Sequence, residues 1–400
     1  MIRYASFFAP LLLMCHAASS APAAPWADTA RQPQQVYLSA LARQGNLLVG
    51  ANENIPQRYC VGTDIRVGRQ TDNSAGDPFD ALYRYPHYGL GYYMGNMNGI
   101  IMHSSAQAGL GKPAALYAFF GSPIRRGKRL TAGYTISAGL SYNFNAYDPE
   151  DAPFNVLIGS KRNAYVDLAF DVSIALPLRS TLTAGLSYQH FSNGSYQKPN
   201  GGINLLSGTL AYQWSTFRRR DKGYAPTAAP AWENLLEWYV FVGGGVRMLD
   251  TDFDKSAPRS GKRWRCNTVS SAAMVQTSVR RKFGVGIDFF YFEWGQHVRR
   301  YRADNAGQKN VKTSTSDDVA LGLYLAHEAG YKRIWLVTDV GAYPLGRVGD
   351  SPVNPLIYER LGVKWRLSDH LFAGVSIKAH GAKADYVEWT LGYSLVKSKL

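Results

Sequence analysis

The chain has 400 residues, a net charge of +15, 39 glycines and 26 tyrosines. Beyond its N-terminal segment no run of about 18 apolar residues occurs, which excludes a bundle of membrane-spanning helices. The basic residues are scattered over turns and loops (Arg125, Arg126, Arg218, Arg219, Arg220, Arg299, Arg300) rather than set along one aromatic-lined groove, which argues against nucleic acid as a partner.

Residues 1–21 have the layout of a secretory signal, with Arg3 ahead of an apolar run from Phe7 to Met14 and small residues through Ala21. Cleavage near Ala21 is expected rather than acylation of Cys15, because bulky Met14 stands where a lipoprotein site needs a small residue. Residues 22–86 begin rich in Ala and Pro and continue irregularly, so they are read as a periplasmic arm or plug with one short strand near 47–50. Segments with period-two alternation then fall at 87–98, 114–121, 128–144, 162–176, 181–192, 202–217, 236–249, 264–282, 284–298, 316–330, 333–345, 356–366, 370–380 and 384–396. In 164–176, for example, Ala164, Val166, Leu168, Phe170, Val172, Ile174 and Leu176 oppose Tyr165, Asp167, Asp171 and Ser173.

A strand with a full apolar stripe on one face and Asp, Ser, Thr and Gly on the other suits a wall with lipid outside and polar groups inside. The fold class expected is all-β, an antiparallel up-and-down transmembrane β-barrel of about 14 strands, with 12 to 16 admitted, spanning 87–396. The rival architectures are a soluble β-sandwich and a periplasmic barrel. Short links alternate with long ones, the short set including 122–127, 177–180, Phe283, 331–332 and 367–369. Two links break the alternation, 218–234 (long) and 381–383 (short), and the former reads either as a boundary between two halves or as a missed strand pair. Aromatic residues gather where membrane-interface girdles belong: Tyr92 and Tyr93, Tyr212 and Trp214, Trp238 and Tyr239, Phe289 to Phe292, Trp389 and Tyr393. Cys60 and Cys266 remain after signal removal, and an exported chain is able to join them. With no CxxC pair and no HExxH, no metal or other cofactor is expected.

One hairpin, 181–217, carries chemistry. Leu182, Ala184, Leu186, Tyr188, His190 and Ser192 share a face, so an imidazole and a hydroxyl continue an apolar stripe. Polar groups on a lipid-facing wall cost free energy, which points to chemistry done at the lipid. His190 is placed to take the proton of Ser192. Hairpin symmetry about Gln197 puts Asn204 opposite His190, where its amide orients the ring. Asn193, Gly194 and Asn200 are candidates for the oxyanion site, although Asn-Gly and Pro-Asn-Gly-Gly are also ordinary turn sequences. The sequence HFSNGSYQKPNGG therefore has two readings, turn and active site, and the apolar register of His190 and Ser192 favours the second. Glycines at 243–245, 284 and 286 lie within strands and lack the helix a phosphate loop needs, and His370, His380 and Lys378 are read as polar lumen.

His190, Ser192, Asn193, Asn200 and Gly202, in the pattern HxSNx6NxG, resemble the signature of the lipid A 3-O-deacylases, outer-membrane barrels. The segments YPHYGLGYY (from Tyr85), GKPAALYAFFGSPI (from Gly111) and AGVSIKAHGAKADYVEWTLGY (from Ala373) are similar to a longer branch known as acyloxyacyl hydrolases. The resemblance implies an outer-membrane serine esterase that removes an ester-linked acyl chain from the lipid A of lipopolysaccharide, with Ser192 as nucleophile, His190 as base, and Asn193 and Asn200 organising the oxyanion site. The anionic lipopolysaccharide leaflet also suits the net charge of +15. The founding enzymes of that family carry Glu where this chain has Asn204, and a neutral amide orients an imidazolium without stabilising its charge. The alternative function is a non-catalytic barrel: a pore, a structural protein or a lipopolysaccharide-binding protein.

Overall fold

The computed structural model describes residues 35–399 apart from 49–54, 56, 73–76, 103–108, 128, 217–234, 309, 347–355 and 382. The signal reading at 1–21 and the arginines at 218–220 lie outside the described residues.

The chain builds two eight-stranded antiparallel barrels in sequence, where one wider barrel was expected. The first contains β1 (Gln35–Leu47), β2 (Gln57–Gln70), β3 (His87–Asn96), β5 (Gly111–Arg126), β6 (Leu130–Phe144), β7 (Arg162–Leu176), β8 (Ser180–Ser192) and β9 (Ile203–Ser215), and closes where β1 pairs with both β2 and β9. A two-residue strand, β4 (Ile100–Ile101), pairs with the start of β2 in the β3–β5 loop. The second barrel runs through β10 (Leu235–Met248), β11 (Arg263–Ser278), β12 (Arg281–Phe292), β13 (Val319–Tyr331), β14 (Ile334–Leu345), β15 (Ile357–Arg366), β16 (Leu371–His380) and β17 (Lys383–Lys399), closing where β10 meets β17.

Every segment picked out by alternation coincides with a strand, and the difference in number comes from 35–70. That stretch, read as an arm or plug, supplies β1 and β2. In β2, Val61, Thr63, Ile65 and Val67 face outward, but Asp64 and Arg66 between them are charged, as are Arg58 and Arg69 at its ends. The charges dilute a stripe that only the closed barrel explains, because Asp64 and Arg66 are buried in the lumen. The link 217–234 joins the two barrels, which accounts for its length at the end where other connections are short. The turn placed at Phe283 falls instead at 279–280, and Phe283 itself pairs with His327. Residues 295–298, read as the end of a strand, belong to a helix, α2 (Gly295–Asn305), while a shorter helix, α1 (Pro78–Leu82), follows β2.

The partition of side chains is the reverse of that in a water-soluble domain. Leu90, Leu116, Leu140, Leu186, Val269, Val285, Leu325 and Trp389 stand exposed on the outer walls, while charged groups fill the lumens. In the first lumen Arg43 Nε donates to Asp64 Oδ2 at 2.9 Å and its Nη1 to Ser187 Oγ at 2.9 Å, while Tyr117 donates to Asp64 Oδ1 at 2.6 Å. In the second, Arg360 reaches Asp288 at 3.0 Å, Asp339 at 3.0 Å and Glu388 at 2.8 Å, with Lys282–Glu237 and Lys364–Glu328 pairs nearby. An eight-stranded barrel is just wide enough for side chains to fill it, and among the described residues both lumens are packed. Two walls of exposed Leu, Val and Trp around sealed polar interiors make this an outer-membrane barrel protein. The aromatic pairs split by parity: Tyr92, Trp238 and Trp389 face outward, whereas Tyr93, Tyr239, Phe290 and Phe292 are buried inside. Lys378 is buried in the second lumen, as its parity required, but His370 lies exposed at the turn before β16. Cys60 on β2 and Cys266 on β11 lie in different barrels, and both are free and buried, so the disulfide is not formed.

Candidate active site

β8 and β9 form one hairpin of the first barrel, in the register that loop symmetry suggested, with His190 opposite Asn204. Ser187, Gln189 and Phe191 point into the lumen, so Leu186, Tyr188, His190 and Ser192 lie on the outer face. Leu186 is 61% exposed, whereas Ser192, at the strand end, is only 2% exposed. The stripe thus passes from open apolar wall to a covered polar corner within two turns of the pleat.

The three side chains form a continuous chain of hydrogen bonds. His190 Nε2 lies 3.0 Å from Ser192 Oγ, and His190 Nδ1 lies 2.7 Å from Asn204 Oδ1. A carbonyl oxygen only accepts, so Nδ1 carries the proton and Nε2 presents its lone pair to the hydroxyl. Tyr188 donates its hydroxyl to the same Asn204 Oδ1 at 2.7 Å. The tyrosine was not among the residues singled out as functional, although its place two positions before His190 on the same face was a usable signal.

The loop from Asn193 to Gly202 is built on its own amides. Asn193 Nδ2 donates to Ser160 Oγ at 2.9 Å and to the Gln197 carbonyl at 2.8 Å, while Asn200 Oδ1 accepts the Asn193 N–H at 3.1 Å. Both amide hydrogens of Asn193 are therefore committed to loop structure and not to an oxyanion site, and Ser160 on the β6–β7 loop is a partner that spacing alone did not reveal. Gly194 adopts φ +60° and Gly202 φ +80°, a region costly for other residues. Gly202 also abuts the imidazole: a Cβ there would stand 3.0 Å from His190 Cε1, so its lack of a side chain leaves room for the ring. None of these residues belongs to a group of three His, Cys, Asp or Glu placed to hold a metal ion, and no such group occurs among the described residues.

The same loop touches the second barrel. Lys198 Nζ lies 2.6 Å from Asp250 Oδ1. Burial pulls the Lys198 ammonium below its ordinary value while Asp250 opposes that shift. Burial also raises Asp250, but Lys198 and Lys383 overcome it and bring the carboxyl down to about 2. Asp250 is therefore ionised at neutral pH.

Residues 63–213 match the family model described as lipid A 3-O-deacylase (PagL), and residues 236–398 match the model described as acyloxyacyl hydrolase, C-terminal domain. The two matches divide at the link between the barrels. Among solved structures, Neisserial surface protein A (NspA) is 14% identical with a TM-score of 0.29, covering 44% of this chain and 94% of that one. The outer membrane enzyme PagL is 18% identical with a TM-score of 0.28, covering 44% of this chain and 98% of that one. No protein of curated function matches the chain.

Proposed function

We propose that this chain, whose residues 63–213 match the lipid A 3-O-deacylase model and residues 236–398 the acyloxyacyl hydrolase C-terminal model, is a serine esterase that removes an ester-linked acyl chain from lipid A. The observation that carries the proposal is the outward-facing hydrogen-bond chain Ser192–His190–Asn204 on the wall of a membrane barrel. Polar groups on such a surface are unfavourable unless lipid-side chemistry needs them.

In the reaction, His190 Nε2 takes the proton as Ser192 Oγ attacks the ester carbonyl. The negative charge that develops on the carbonyl oxygen is assigned to a backbone N–H of the loop after Ser192, that of Gly194. His190 then returns the proton to the departing sugar hydroxyl, and a water activated by the same nitrogen releases the fatty acid from Ser192. Asn204 keeps the proton of His190 on Nδ1, and Tyr188 holds the amide oxygen of Asn204 in place. Asn193 and Asn200 act by shaping the loop that carries Gly194.

The test is mass spectrometry of lipid A after incubation with the refolded protein and with Ser192→Ala. The parent is expected to remove one hydroxyacyl mass, and the variant to lose activity by on the order of 10⁴-fold or more. Equal product from both proteins would remove Ser192 from the mechanism. A second reading, lipopolysaccharide binding without turnover, is favoured by the neutral Asn204; binding by parent and variant alike with no mass lost from lipid A would support it. The pore reading finds no support in two lumens filled by ion pairs.

A further inference from the structure

Five consecutive residues after Asn193 rest on the rim of the second barrel. A Cβ on Gly194 would stand 2.5 Å from Val387 Cγ2 on β17, so the loop backbone lies directly against that strand. The Ser195 carbonyl accepts the Met248 N–H at 2.8 Å, and its hydroxyl donates to the Ala384 carbonyl at 2.7 Å. The Arg263 guanidinium lies 5.4 Å over the Tyr196 ring. Gln197 donates to the Pro258 carbonyl and accepts from Arg263, and Lys198 pairs with Asp250 at 2.6 Å. Ser195, Gln197 and Lys198 are all buried by this docking.

A loop at a barrel rim is ordinarily the most mobile part of the fold. Here it carries the amide next to Ser192, and displacing such a group by about 1 Å costs on the order of 10²-fold in rate. We propose that the loop-end rim of the second barrel is a positioning element for the Ser192 site, with Asp250 and Arg263 as its anchoring residues and Ser195, Gln197 and Lys198 as the residues they and the rim backbone hold. The second barrel then completes the site without touching the substrate carbonyl. The inference rests on Ser192 being the nucleophile.

The experiment uses the full chain in detergent micelles and an alkyl fluorophosphonate, from which an activated serine Oγ displaces fluoride. Labelling of the parent and not of Ser192→Ala establishes the nucleophile independently of the rim. The double variant Asp250→Ala/Arg263→Met is expected to retain the heat-shifted gel mobility of a folded barrel, to label about tenfold more slowly, and to lose about tenfold in kcat with KM within about twofold. Asp250→Glu/Arg263→Lys is expected to recover most of the labelling rate. Ser195→Ala, which deletes one hydrogen bond, is the milder arm and should slow labelling about threefold; it decides the matter if the double variant does not fold. A folded double variant, or failing that a folded Ser195→Ala protein, that labels at the parental rate overturns the rim proposal alone. A parent that does not label overturns the nucleophile reading and the rim proposal with it.

Discussion

The seventh strand of each barrel shows what separates the two halves. On β8 the outward positions run Leu186, Tyr188, His190 and Ser192, ending beneath a loop from 193 to 202. On β16 they run Leu371, Ala373, Val375 and Ile377, and the connection to β17 is only 381–382. Strand number, closure and a charged lumen are common to both barrels, so none of these carries the chemistry. In the proposed reading the chemistry belongs to a few outward side chains near one rim and to the loop above them; the β16–β17 hairpin has no counterpart to either, and the second barrel offers its rim as a seat for that loop.

The comparison is broken or sharpened by three substitutions. The largest effect is expected in the second lumen, where Arg360→Met would leave Asp288, Asp339 and Glu388 without their shared cation. A loss of about 3–5 kcal/mol in unfolding free energy is expected from the urea midpoint in micelles, with unchanged fluorophosphonate labelling of the folded fraction; a fall in labelling there would show that the lumen, and not only the rim, bears on the site. Next is Asn204→Glu. A carboxylate stabilises the imidazolium that an amide only orients, so kcat on lipid A is expected to rise by about 10- to 100-fold, and a fall would mean that the Tyr188–Asn204 bond matters more than charge. The smallest effect is Tyr188→Phe, which removes one hydrogen bond to Asn204. A loss of about 1 kcal/mol corresponds to a roughly fivefold lower kcat with KM unchanged, and a change in KM alone would place Tyr188 against the lipid instead.

The strands from β3 and β5 to β17 were legible because lipid outside and polar groups inside impose strict alternation, as in Ala164 to Leu176. β1 and β2 were not, since the lumen charges Arg43, Asp64 and Arg66 are meaningful only once Asp167 of β7 is brought opposite them. The His190–Asn204 pairing was readable from loop symmetry, because antiparallel register follows from turn length. The roles of Ser160, Tyr188 and the rim at Met248, Asp250 and Arg263 were not, since they depend on which loops meet in space.

By itself the amino-acid order determined the class of fold, the faces of the strands and the placing of an imidazole and a hydroxyl on the outer wall. These follow from local geometry, a two-residue repeat and the length of one turn. Tertiary structure alone decided that there are two closed barrels rather than one, that the two cysteines stay apart, and that residues 194–198 are held by the second barrel, since closure and docking join residues far apart in the chain.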